Sequence, residues 1–73
     1  LNHHLVEQLF DLTPAEAFIA ARLAEGHSLQ EIAALRRSSI STIRTHMKRI
    51  FMKTGTSRQG ELVQLILTSP AIS

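Results

Sequence analysis

At 73 residues, with 44% apolar and 19% charged side chains, the chain is sized for one small domain and is too apolar to remain disordered. With no cysteine, a disulfide framework and a thiolate metal site are both excluded, which fits a cytoplasmic protein, and no apolar run approaches the ~18 residues of a membrane span. The net charge of +2 hides an asymmetry: residues 1–35 set Glu7, Asp11, Glu16, Glu25 and Glu31 against Arg22 alone, whereas residues 36–58 hold Arg36, Arg37, Arg44, Lys48, Arg49, Lys53 and Arg58 and no acid.

The chain opens on Leu1 rather than Met and is read as part of a larger protein. Leu5, Val6, Leu9 and Phe10 have i, i+4 spacing, so residues 1–11 are either a short leading helix or a linker from an upstream domain. The domain proper is expected over residues 12–69 as four helices, with 70–73 as a C-terminal tail. Thr13, Pro14 and Glu16 form a capping box with proline at the first helical position, where its missing N–H costs nothing. Ile19 and Leu23 give that first helix its inward stripe, and Gly26 ends it. Ser28 and Glu31 make a second capping box for a short helix whose apolar positions are Leu29, Ile32, Ala33 and Leu35. Ser39 caps the third helix, about residues 40–53. With Ile43 at 0° and steps of about 100°, Ile40, Met47, Ile50, Phe51 and Thr54 share its side. Ser41, Thr45, Lys48 and Met52 point the opposite way, with Arg44 and Arg49 on the flanks. Thr56 or Ser57 is expected to cap a fourth helix, about 57–68. There Leu62, Val63, Leu65, Ile66 and Leu67 exceed what one buried stripe needs and read as a second apolar surface for a dimer contact.

The second and third helices, joined by a short turn, match a helix-turn-helix, in which a small residue is needed where the helices cross, and Ala33 fits that place. The second helix of such a pair must turn an apolar side inward and long polar side chains outward to base edges. The basic run from Arg36 to Arg58 is the electrostatic footprint of a polyanion binder.

Leu12-Thr13-Pro14-Ala15-Glu16, Leu23-Ala24-Glu25-Gly26, Glu31-Ile32-Ala33 and Ser41-Thr42-Ile43-Arg44-Thr45-His46 follow one another in an order that resembles the LuxR-type (GerE-like) bacterial regulators. Lys48-Arg49-Ile50-Phe51, Lys53-Thr54-Gly55, Ser57-Arg58 and Glu61-Leu62-Val63 continue the likeness, which covers residues 12–67 without a gap. The resemblance implies an all-α, four-helix DNA-binding domain of a transcriptional regulator, whose third helix reads duplex DNA and whose fourth forms a homodimer. It assigns base contacts to Arg44, Thr45 and Lys48. Arg44 would pair with guanine O6 and N7, and the Thr45 methyl would touch thymine. Phosphate contacts fall to Ser39, Ser41, Thr42, Arg49, Lys53 and Arg58, to which the charge of Arg36 and Arg37 beside the third helix adds two further candidates, and the dimer face falls to Leu62, Val63, Leu65 and Ile66. RNA polymerase is a further partner to consider; no membrane and no cofactor is implied.

The likeness breaks in places. The turn of such domains usually holds Leu, Gly and an apolar residue where Arg36, Arg37 and Ser38 stand; an arginine at the glycine place costs on the order of 1 kcal/mol in a left-handed conformation. Leu35 is expected to supply the missing core contact. Phe18 and Arg22, one turn apart, replace a polar and an apolar residue, and Phe18 is expected to pack on the Arg22 stem or on residues 5–10. His3, His4, His27 and His46 lack metal-ligand spacing, and His46 reads as a partly buried, hydrogen-bonded ring. No nucleophile elbow or paired carboxylates point to catalysis. Two other readings remain: a sigma-factor-like promoter-reading domain, and a protein-interaction module that has lost DNA binding.

Overall fold

Short-range hydrogen bonds set where each helix begins. A computed structural model of the chain describes residues 1–72, and these are all-α. The leading segment is a helix, α1 (His3–Phe10), capped by the Asn2 side chain, which accepts the Leu5 N–H at 3.0 Å. In α2 (Pro14–Ala24), Thr13 Oγ1 accepts the Glu16 N–H at 3.2 Å and Glu16 Oε1 accepts the Thr13 N–H at 2.9 Å, the reciprocal box read from the sequence. Gly26, at φ 100°, closes α2: its N–H reaches the Leu23 carbonyl and that of His27 the Arg22 carbonyl, both at 3.0 Å. Ser28 and Glu31 repeat the box for α3 (Leu29–Arg36) at 3.1 and 2.8 Å.

Ser39 Oγ accepts the Thr42 N–H at 3.1 Å to start α4 (Ile40–Thr54), and left-handed Gly55 ends it. The start of α5 (Gln59–Leu67) differs from the expected Thr56 or Ser57 cap. Arg58 is the capping residue, and the Glu61 carboxylate reaches back to the N–H groups of Ser57 and Arg58 at 2.9 and 3.1 Å.

α2 lies at the centre and touches each of the other four helices, while α3 and α4 pack on each other. Val6, Ile19, Ile32, Ile43, Ile50, Leu62 and Ile66 are wholly buried between them, and Ala33 of α3 joins the same core at 7% exposed. The stretch 70–73 was expected to be a tail, yet Pro70–Ile72 form a 3-10 turn with Ala71 buried. The Asn2 N–H donates to the Ala71 carbonyl at 2.9 Å, so the two ends meet over α1. Ser73 lies outside the described residues.

Two expectations are corrected by packing. Leu35 is 56% exposed and supplies no core contact, because the core side of α3 is already filled by Ile32 and Ala33, three and two residues earlier. Leu62 and Ile66, expected on a dimer face, belong to the domain's own core, since they are one turn apart on the side of α5 that meets α2.

Candidate nucleic-acid interface

α4 has one face hidden and one bare. Ile43 and Ile50 are fully buried and Met47 is 5% exposed, whereas Ser41, Arg44, Thr45, Lys48, Arg49 and Met52 are all exposed. The three residues singled out for base contacts therefore share the outward side of a single helix, within little more than one turn of it. The Thr45 hydroxyl donates to the Ser41 carbonyl at 3.1 Å, which leaves its methyl as the surface it offers. Met52 continues the stripe one turn beyond Lys48 and is 82% exposed.

At the N-terminal end of this face, Ser39 and Thr42 share a hydroxyl–hydroxyl hydrogen bond of 3.0 Å besides the cap itself, so local structure accounts for both hydroxyls. The preceding turn keeps its left-handed residue without a glycine. Arg37 has φ 53° and ψ 43°, its N–H reaching Ala34 at 3.2 Å while Ser38 N–H reaches Ala33 at 2.9 Å. Ser38 is half-buried with its hydroxyl unpartnered, as is the Nδ1 of half-buried His46, so the hydrogen bond expected of that ring is absent.

The acids are spent elsewhere. Backbone and hydroxyl hydrogen bonds from Ser28 hold the Glu31 carboxyl below its ordinary range, and those from Ser57 and Arg58 do the same for Glu61. Arg22 pairs with Glu25 at 2.8 Å. Arg37, Arg44, Lys48, Arg49 and Arg58 form no ion pair with any described residue, so the outward side of α4 carries uncompensated positive charge.

Lys53 is the exception among the expected phosphate contacts. Its Nζ lies 2.7 Å from Glu16 Oε1, tying the end of α4 to the start of α2. On the helical wheel Lys53 falls about 80° from Ile43, on the flank toward α2. Burial pushes the Glu16 carboxyl up, but the Lys53 ammonium and the Thr13 N–H more than offset this and hold it below the ordinary value. Nothing in the spacing of residues 16 and 53 reveals this pair.

On α5, Val63 is half-buried and Leu67 is 41% exposed toward the outer side, while Leu65 is half-buried on the opposite flank. Among the described residues no group of three His, Cys, Asp or Glu side chains converges as metal ligands would. No helix of the described residues is long and apolar enough to cross a membrane.

The profile of the family described as bacterial regulatory proteins, luxR family (GerE), matches residues 11–66. A protein named response regulator Rre1, from Synechocystis sp., is 35% identical over 57 residues, which make up 78% of this chain and 25% of that protein. The chain thus spans about a quarter of the length of the curated relative it matches. No solved structure gives a significant match. The capped helices, the two-faced α4 and the family profile coincide over the same residues, and the chain belongs to the luxR family of bacterial regulatory proteins.

Proposed function

We propose that this domain binds duplex DNA sequence-specifically as the DNA-reading part of a bacterial transcription regulator, with α4 lying in the major groove. The observation that carries the reading is the separation of α4 into a buried side, centred on Ile43, and an exposed side bearing Arg44, Thr45 and Lys48. A helix of 15 residues is about 22 Å long, and the major groove is about 12 Å wide and admits one helix. Arg44 takes guanine O6 and N7 in bidentate fashion, the Thr45 methyl meets a thymine methyl, and Lys48 serves a base or the adjoining phosphate. Arg36, Arg37, Ser41, Arg49 and Arg58 contact phosphates and fix the register. Ser39 and Thr42 contribute chiefly by fixing the start of the helix.

Two copies bind as a homodimer through α5, now with Val63 and Leu67 as the apolar contacts because Leu62 and Ile66 are taken by the core. The likeness to a protein named a response regulator supports a signal-responsive parent acting in the cytoplasm, where the bacterial chromosome lies, with RNA polymerase as a further partner. A selection of bound sequences from random duplexes, followed by anisotropy titration, tests the reading. It should return two related half-sites and an affinity that falls about five log units per tenfold rise in salt, for roughly six phosphates neutralised per dimer. Recovery of unselected sequences with no salt dependence would overturn it.

A further inference from the structure

Phe18 and Arg22 on α2 and Arg36 at the end of α3 meet in one contact. The Arg22 guanidinium carbon lies 5.0 Å from the Phe18 ring centroid and that of Arg36 lies 5.5 Å from the same centroid. His3 of α1 meets the ring edge-on at 6.3 Å and 83°. The two arginines share a ring but not a charge balance. Arg22 is neutralised by Glu25 at 2.8 Å, and that carboxylate also lies 3.7 Å from His3 Nε2. Arg36 forms no ion pair with any described residue. A neutral side chain would cover the ring without placing a second cation beside Arg22, so packing alone does not account for the charge at position 36.

Arg36 stands three residues before Ser39, the cap of α4, so at full extension its Cα is no more than about 11 Å from the N-terminal end of the reading face. A free arginine gives up much rotamer freedom when it grips a phosphate, and a side chain already held on a ring gives up less. Guanidinium planes stack on aromatic faces while leaving their N–H edges open.

We propose that Phe18 is a positioning residue for DNA affinity: its ring holds the Arg36 guanidinium ready for a backbone phosphate beside the start of α4. The proposal rests on the DNA-binding reading and adds to it a side chain on α2 that touches no DNA. The test is a set of anisotropy titrations of the 73-residue chain against its selected duplex at several salt concentrations. It compares the wild type, Phe18→Leu, Phe18→Tyr, Arg36→Gln, Arg36→Lys and the double variant Phe18→Leu/Arg36→Gln, each checked for helicity at the assay temperature.

Phe18→Leu should weaken binding about two- to fivefold without changing the salt slope, and Phe18→Tyr should restore wild-type affinity. Arg36→Gln should weaken binding further and lower the slope by about one per subunit. In its presence Phe18→Leu should have no added effect. Arg36→Lys, which keeps the charge at an exposed site, should keep the slope and lose affinity, since an ammonium stacks less well. An equal loss from Phe18→Leu with and without Arg36 would mean that the ring acts by holding the fold, and the proposal fails. Wild-type affinity and slope in Arg36→Gln would mean that the charge serves something other than DNA, an acidic protein surface included, and the proposal fails again. Failure of the wild type to bind any duplex would instead sink the DNA reading on which it rests.

Discussion

Arg37 holds a left-handed backbone, φ 53°, at the point where α3 must stop so that α4 can cross it. A side chain there costs roughly 1–2 kcal/mol, part of which glycine would return as lost chain entropy. Arg37→Gly should therefore raise stability by about 0.5–1 kcal/mol, seen as a melting midpoint a few degrees higher, while DNA affinity falls through loss of a phosphate contact. A lowered midpoint would mean that the Arg37 side chain holds the turn. Glu16 makes the opposite case, a charge kept inside because two groups need it. Its folded-state carboxyl titrates below the ordinary 4.5, so its contribution to stability is full above that pH and is lost as pH falls through the folded value. Denaturant unfolding from pH 7 to pH 3 should show this decline, and Glu16→Gln should flatten it. Lys53→Ala strands a carboxylate that is 3% exposed. Because the lysine end is 35% exposed, the cost should be about 1–3 kcal/mol, below the 3–5 of a fully buried pair.

At the scale of the helix, what sequence reveals is what neighbours along the chain decide. The boxes at Thr13 with Glu16 and Ser28 with Glu31 close through hydrogen bonds three residues apart, so spacing alone located both helix starts. The two sides of α4 follow from a period of 3.6 and a strong contrast between Ile43, Met47 and Ile50 and the polar residues opposite. The fourth predicted helix misled because its apolar residues spread over an arc of about 200°, wider than one buried stripe. Only the packing of α5 on α2 determines that Leu62 and Ile66 go inside and Leu67 stays out. Leu35 was expected inside for the same reason, and the Glu16 partner of Lys53 went unseen: an exposed leucine and a paired lysine depend on what arrives from distant parts of the chain. The surviving outer side of α5 makes a specific forecast. Leu67→Glu, at a site already 41% exposed, should leave the melting midpoint nearly unchanged and shift sedimentation on DNA from two copies to one. Unaltered pairing would exclude α5 as the contact.

For the molecule as a whole, charge and shape work together. Glu16, Glu25, Glu31 and Glu61 are drawn into caps and pairs, while the basic segment presents Arg36, Arg37, Arg44, Lys48 and Arg49 without an ion pair to any described residue. A small net charge of +2 thus includes a run of uncompensated cations along the outward side of α4. α1 and the 3-10 turn both lie outside the matched residues 11–66: α1 packs on α2 with Val6 buried, and the turn packs on α1 and α5 with Ala71 buried and the Asn2–Ala71 hydrogen bond closed, so they extend the core of the family domain. The claim on which all of this turns is that Arg44 reads a guanine from the major groove. Anisotropy titration of the selected duplex, with each guanine N7 replaced in turn by carbon, removes a major-groove acceptor and leaves base pairing and the minor groove intact. At least one replacement should weaken wild-type binding by about 1–3 kcal/mol, and that penalty should vanish in Arg44→Ala. Insensitivity to every replacement, or a penalty undiminished in Arg44→Ala, would contradict the assignment.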